Sequence, residues 1–174
     1  MKIILISGKA QHGKDTTAQI IKNELTKQGN KVIITHFADL VKFTCEKYFD
    51  WNGEKDEAGR TLLQYVGTDV VRTINPNYWA DFVINFLSMF PEEWDYVLIP
   101  DCRFKNELEL WGGWDTVSVR VIRENFKSIL TTEQLNHPSE TALDDYEFDY
   151  YIHNISDIHN LEFEVDKFID YLGG

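Results

Sequence analysis

Four consecutive branched aliphatic residues, Ile3 to Ile6, run into Ser7-Gly8; a second glycine, Gly13, is followed at once by Lys14. This Gly8-xxxx-Gly13-Lys14 arrangement constrains the fold more than any other part of the chain. The aliphatic run reads as a strand buried on both faces. Glycines at these positions let the backbone turn its N–H groups inward around a phosphate without Cβ clashes. A helix opening near Lys14 aims the positive end of its dipole at the same anion. Lys14 supplies a mobile point charge for the outer phosphates of a nucleotide. The apolar positions Ala18, Ile21 and Leu25 behind the loop fit an amphipathic helix, which separates this pattern from a chance glycine-rich turn.

The usual hydroxyl residue after the lysine is replaced by Asp15, with Thr16 and Thr17 behind it. A carboxylate beside a polyphosphate is repelled unless a metal ion or an arginine lies between them. Asp15 is therefore left two roles, holding Mg²⁺ directly or through water, or orienting a substrate. Thr16 and Thr17 are the nearest hydroxyls.

The net charge of −12 disfavours nonspecific attraction to nucleic acid or to an anionic membrane. With only 17 lysines and arginines, a protein that handles nucleotides must gather its cations locally, so the placement of each arginine is informative. Two cysteines, Cys45 and Cys102, make neither a metal framework nor a disulfide scaffold. No signal pattern and no spanning apolar run is present, so a cytoplasmic protein is expected.

In chain order, the first helix stops at Gly29-Asn30 and a second strand follows over Lys31–Phe37. Asp39 and Lys42 open the next helix at the carboxyl end of that strand, where ligands of parallel sheets sit. Asp50–Gly59 reads as a surface loop. A helix from Arg60 to Ile74 is expected to be broken or pinched at Gly67. Asn75-Pro76 reads as the cap and first turn of another helix, whose Phe82, Phe86 and Met89 are expected in the core, with Tyr78 and Trp79 set apart.

Tyr96–Ile99 is a third buried strand, running into Asp101 and Arg103, a carboxylate and a cation placed to face phosphates. Arg103 and Glu107 fall four apart on the next helix, and an ordinary surface ion pair is the competing reading. Thr116–Ile122 and Asp149–His153 are further strands, with a final helix capped at Ser156-Asp157. Between them, residues 123–140, with Arg123, Lys127 and His137, suit a short cover over the phosphates. This alternation implies one α/β domain over 1–174, a parallel sheet of about five strands with helices on both faces and acceptor-binding helices over about 38–90.

Taken together, the pieces GKAQHGKDTT (8–17), FADLVK (37–42), RTLLQYVGTD (60–69), NYW (77–79), PDCRFKNE (100–107) and HPSETAL (137–143) resemble the deoxynucleoside monophosphate kinases of tailed phages and their bacterial relatives. The resemblance implies a P-loop, nucleoside monophosphate kinase-like fold, ATP as donor and Mg²⁺ as cofactor. It implies that Gly8, Gly13, Lys14, Asp15, Thr16 and Thr17 bind phosphate, with metal at Asp15 and Thr16. Arg60, Gly67, Trp79, Asp101, Arg103 and Glu107 would form the acceptor site, lined also by Asp39 and Lys42. Arg123 would come from the lid side and Asn154 would lie near the donor base. Lys14, Arg60, Arg103 and Arg123 would carry the charge of the transfer. Nucleotide substrates are then the expected partners, without nucleic acid or membrane, and a homodimer is compatible with the sequence. The competing functions are a small-metabolite phosphate kinase of the phosphomevalonate type, a regulatory module that binds nucleotide without an acceptor, and a nucleic-acid end kinase.

Overall fold

The computed structural model describes residues 1–124, 126–155 and 157–173. The first elements are β1 (Lys2–Ser7), α1 (Lys14–Lys27) and β2 (Val32–Ile34). Helices α2 (Ala38–Tyr48), α3 (Glu57–Gln64), α4 (Val71–Ile74) and α5 (Tyr78–Ser88) follow. The chain continues with β3 (Tyr96–Cys102), α6 (Lys105–Glu109), β4 (Asp115–Arg123), α7 (Thr132–Asn136), α8 (Pro138–Thr141), β5 (Tyr150–Asn154) and α9 (Ile158–Gly173). Two compact units result, Met1–Thr35 with Phe90–Gly174, and His36–Met89.

The first unit is built on a five-stranded parallel sheet in the order β2-β3-β1-β4-β5. Register places Ile4 beside Leu98 and Val117, and Ile6 beside Val119. With Val121 and Ile152 these residues form one apolar face, closed by Ala18, Ile21 and Leu25 of α1 and by Leu161, Val165 and Phe168 of α9. Ile3, Leu5, Val97 and Ile99 on the opposite face are also buried, as a continuous aliphatic run requires. Strand β3 extends past its expected end through Pro100 to Cys102. Pairing slips by one residue there, from Leu5 with Ile99 to Ser7 with Cys102. Pro100 has no N–H to give the ladder, and the resulting bulge lies next to Asp101.

Helix α1 ends as its glycine signal implies: Gly29 N–H donates to the Thr26 carbonyl at 2.9 Å and Asn30 N–H to that of Leu25 at 3.1 Å. The cap of α9 is carried by Asp157, whose carboxylate accepts from Asn160 N–H at 3.0 Å; Ser156, its expected companion, lies outside the described residues. Strand β2 is shorter than expected, three residues rather than seven.

The second unit departs more from its sequence reading. Helix α3 starts at Glu57, inside the stretch read as loop, because Asp56 caps it by accepting from Gly59 N–H at 2.7 Å. At Gly67 the helix is widened into a π-helical turn over Tyr65–Val70 rather than broken. Asn75 is extended and its side chain accepts from Asn77 N–H, so it makes a local turn and does not cap α5. Within α5 the buried residues are Trp79, Ala80, Val83 and Leu87, while Tyr78, Phe82, Phe86 and Met89 are exposed. The expected core assignment of Phe82, Phe86 and Met89 is thus corrected. Asp81, Asn85 and Ser88 make a polar stripe at helical spacing, the buried residues lie on the side opposite it, and Phe82, Phe86 and Met89 fall between the two.

Candidate active site

The loop after β1 has the backbone its glycines call for. Gly8 and Gly13 adopt φ of 154° and 94°, and Gln11 joins them in the left-handed region at 65°. A Cβ on Gly8 would stand 2.6 Å from the Val121 carbonyl oxygen, and one on Gly13 would stand 2.8 Å from Asn154 Nδ2. Asn154, at the end of β5, donates to the His12 carbonyl at 3.1 Å and so holds the loop from the sheet side. Gly13 precedes α1 without a side-chain cap, which leaves the helix start suited to an anion. Thr17 is fully buried and its hydroxyl donates to the Gly13 carbonyl at 2.9 Å, so it fixes the first turn instead of facing the loop mouth.

Lys14 is folded into the loop, only 7% exposed, and its ammonium donates to the Gly8 and Lys9 carbonyls at 2.8 and 3.0 Å. Burial pulls it down from 10.5 to about 7. Arg103 adds to the fall, while Glu140, Asp15 and Asp101 oppose it. The residues singled out as Lys14, Asp15, Asp101 and Arg103 therefore share one electrostatic neighbourhood. Arg123 lies at the outer side of the loop, donating to the Gln11 carbonyl at 3.2 Å, with its guanidinium 4.5 Å from the Phe126 ring centre.

Glu107 makes no surface pair. It is 1% exposed, and its carboxylate accepts from the Arg103 and Phe104 N–H groups at 2.6 and 2.9 Å. This cap fixes the backbone of Arg103, which lies before α6 and not on it. The Arg103 guanidinium instead meets Glu140 at 2.7 Å and the Ser139 carbonyl at 3.2 Å.

Four neighbours of the glycine loop were not singled out from the sequence. Glu140 accepts from Ala10 N–H at 2.8 Å. Arg120 donates to Ser7 Oγ at 3.0 Å and to Asp144 at 3.1 Å, and Asp144 also holds Lys9 at 2.9 Å. Burial lowers the Arg120 guanidinium, and Asp144 offsets this. His12 Nδ1 lies 3.1 Å from the Arg123 N–H and 3.4 Å from the Val121 carbonyl oxygen; the shorter contact is to a group that can only donate, so Nδ1 accepts and the proton of the neutral ring sits on Nε2. Burial holds His12 below its ordinary 6.5, and the Lys14 and Arg120 charges contribute in the same direction. The HPSETAL piece was the sequence signal available for Glu140. For Arg120 and Asp144 there was none.

The remaining candidates belong to the second unit. Asp39 pairs with Lys42 at 2.9 Å and accepts from His36 N–H at 3.2 Å. Burial opposes the Asp39 charge, but Lys42 and His36 outweigh it and hold the carboxyl below its usual range. Arg60 donates through Nε to the Lys55 carbonyl at 2.8 Å. Trp79 is 3% exposed and its indole N–H donates to the Gly67 carbonyl at 2.8 Å. That bond takes up a carbonyl inside the π-helical turn and ties Gly67 to α5.

Among the described residues no group of three or more His, Cys, Asp or Glu side chains could hold a metal. Mg²⁺ is ordinarily held by one or two carboxylates together with substrate phosphates and waters. Asp15 and Thr16 beside the loop fit an ion that arrives with a nucleotide, not a cage made of protein alone.

The state of Lys14 sets a pH dependence. A bound polyphosphate favours the charged ammonium, so Lys14 must take up a proton wherever it is partly neutral beforehand. Affinity for a non-hydrolysable triphosphate is expected to hold below pH 7 and to fall above it, by at most about tenfold per pH unit. Fold stability has the opposite sign: the unfolded chain binds the Lys14 proton more tightly, so stability rises with pH between about 7 and 10.5. Calorimetric titration in two buffers of different ionisation enthalpy measures the proton directly; zero uptake at pH 8 would contradict a largely neutral Lys14.

A family model described as deoxynucleotide monophosphate kinase matches residues 25–165. The match begins beyond the glycine loop, so loop and family model are separate observations. The deoxynucleotide monophosphate kinase of Enterobacteria phage T4 is 30% identical over 79 residues, 44% of this chain and 33% of that protein. That of Escherichia phage RB69 is 28% identical over 112 residues, 63% of this chain and 44% of that protein. The chain thus matches less than half the length of these curated relatives. In fold, dephospho-CoA kinase from Campylobacter jejuni is similar at 12% identity, with a TM-score of 0.55 over 98% of this chain and 97% of that one.

Proposed function

Because the chain belongs to the deoxynucleotide monophosphate kinase family, we propose that it transfers the terminal phosphoryl group of ATP to the 5′-phosphate of a deoxynucleoside monophosphate. ADP and the deoxynucleoside diphosphate would be the products. The observation that carries this reading is the Arg103 guanidinium tied through Glu140 to the Ala10 N–H of the glycine loop that holds Lys14. A lone loop serves any nucleotide-binding protein; a guanidinium held beside it suits charge on a phosphoryl group in transit.

Phosphoryl transfer asks a protein mainly to align two substrates and to neutralise the moving charge. The loop N–H groups and the start of α1 bind the donor phosphates, and Lys14 exchanges its two carbonyl partners for phosphate oxygens. Arg103, from the end of β3, and Arg123, from the end of β4, contribute cations from different strands. Arg60 serves the acceptor phosphate. Asp15 and Thr16 would hold Mg²⁺, which would supply charge neutralisation for the nucleotide phosphates. The attacking atom is an ionised phosphate oxygen, so no general base is required. His12 agrees with this, since its Nδ1 is taken by the Arg123 N–H.

The test is ADP formation with ATP and Mg²⁺ against the common deoxynucleoside monophosphates, their ribo counterparts and phosphomevalonate. ADP is expected with deoxynucleotide acceptors. Turnover confined to phosphomevalonate would reassign the acceptor. Tight ATP binding without turnover on any acceptor would replace the kinase reading by a regulatory one.

A further inference from the structure

We propose that Glu140 is a positioning residue, which sets the Arg103 guanidinium against the glycine loop for phosphoryl transfer. The inference rests on the kinase reading and adds to it a residue from the 123–140 stretch. Glu140 bridges two parts of the site. One carboxylate oxygen accepts from the Ala10 N–H of the loop at 2.8 Å, and the other from Arg103 Nη1 at 2.7 Å. Its side chain is 6% exposed. A buried carboxylate beside a polyphosphate site would repel the ligand unless its charge were matched, and here Arg103 matches it.

The bridge is itself held. His137 caps α8 by accepting from Ser139 N–H at 3.2 Å, and Pro138 occupies the first turn. The Ser139 carbonyl accepts a second bond from Arg103 Nη1. Three residues beyond α8, Asp144 grips Lys9 of the loop and Arg120 beneath it. The segment from 139 to 144 therefore contacts the loop, Arg103 and the sheet together.

Both Arg103 bonds fall on Nη1. A guanidinium has five N–H donors in a rigid fork, so a tether on one nitrogen fixes the plane without drawing on Nε or Nη2. Both Glu140 oxygens are already engaged, by a backbone N–H and by a guanidinium, which argues for positioning over metal ligation or proton transfer.

The test is a double-mutant cycle in the ADP assay with Glu140→Gln, Arg103→Ala and their combination. Glu140→Gln keeps the shape and loses the charge; kcat is expected to fall 10- to 100-fold, the scale of a misplaced catalytic group, with KM for both nucleotides changed less than threefold. If Glu140 acts through Arg103, the double variant is no slower than Arg103→Ala alone. Additive losses, or a change in KM alone, would overturn the assignment. Should Glu140→Gln not fold, Glu140→Asp, which keeps the charge on a shorter arm, enters the same cycle with the same two outcomes. Wild-type turnover is the control. Its absence on every acceptor overturns the kinase reading and the role that rests on it, whereas turnover with an additive cycle overturns Glu140 alone.

Discussion

Lys14→Met is expected to lower kcat by about 10³-fold or more while leaving the protein at least as stable as the wild type. The two effects have one cause. Lys14 is buried, with two carbonyl partners for its ammonium and no carboxylate among the described residues bonded to it. Its fall from 10.5 to about 7 corresponds, at about 1.4 kcal/mol per pH unit, to roughly 4 kcal/mol of stability forgone near neutral pH. Methionine matches the aliphatic stem and removes the charge. The Gly8 and Lys9 carbonyls lose a donor, which costs about 1–3 kcal/mol, so a net gain of about 1–3 kcal/mol is expected. In a chain of this size that raises the melting temperature by a few degrees. The paired measurements are thermal unfolding and the coupled ADP assay. Activity and stability falling together would show that the ammonium is part of the scaffold rather than a charge held ready for phosphate.

Gly8→Ala is expected to fail on both counts. At φ 154° an L side chain is strained, and the new Cβ would meet the Val121 carbonyl oxygen at 2.6 Å. That oxygen belongs to β4, which is paired on one side to β1 and on the other to β5, so the strand cannot retreat without breaking register. Strain and clash together are expected to cost about 3 kcal/mol, read as a lower urea midpoint. Binding of a non-hydrolysable ATP analogue should be lost as the loop moves. Gly13→Ala is the informative contrast. Its Cβ would meet the amide of Asn154, a side chain that can turn aside, so a smaller stability loss is expected. Equal stability losses in the two variants would mean that the sheet gives way at Val121 as readily as a side chain does.

The parts of the site written in one short stretch were legible without coordinates. The aliphatic run, the paired glycines, Lys14 and Asp15 lie within fourteen residues, and each follows from a local rule: strand burial, backbone freedom, helix dipole. Asp101 and Arg103 were singled out as candidates for a related reason, since a strand end positions whatever follows it. For Glu107 the competing reading was a surface pair with Arg103, because spacing on a presumed helix hides a carboxylate that turns back to cap the start of α6. Trp79 stood out as an aromatic near the acceptor pieces, yet its indole N–H is spent on Gly67.

What the sequence determined by itself is the kind of chemistry this chain is built around: a phosphate loop feeding a parallel sheet, with cations at strand ends. Tertiary structure decided how that loop is held. Glu140 meets Ala10 across 130 residues, Arg120 meets Ser7 across 113, and Asn154 meets His12 across 142. No periodicity encodes such pairs. They exist because the strand order β2-β3-β1-β4-β5 sets β4 directly beside β1 and β5 next to it, which brings their carboxyl ends under one loop. In α5, packing likewise decided that the aromatics flanking the Asp81, Asn85 and Ser88 stripe stay exposed while Trp79, Ala80, Val83 and Leu87 turn inward.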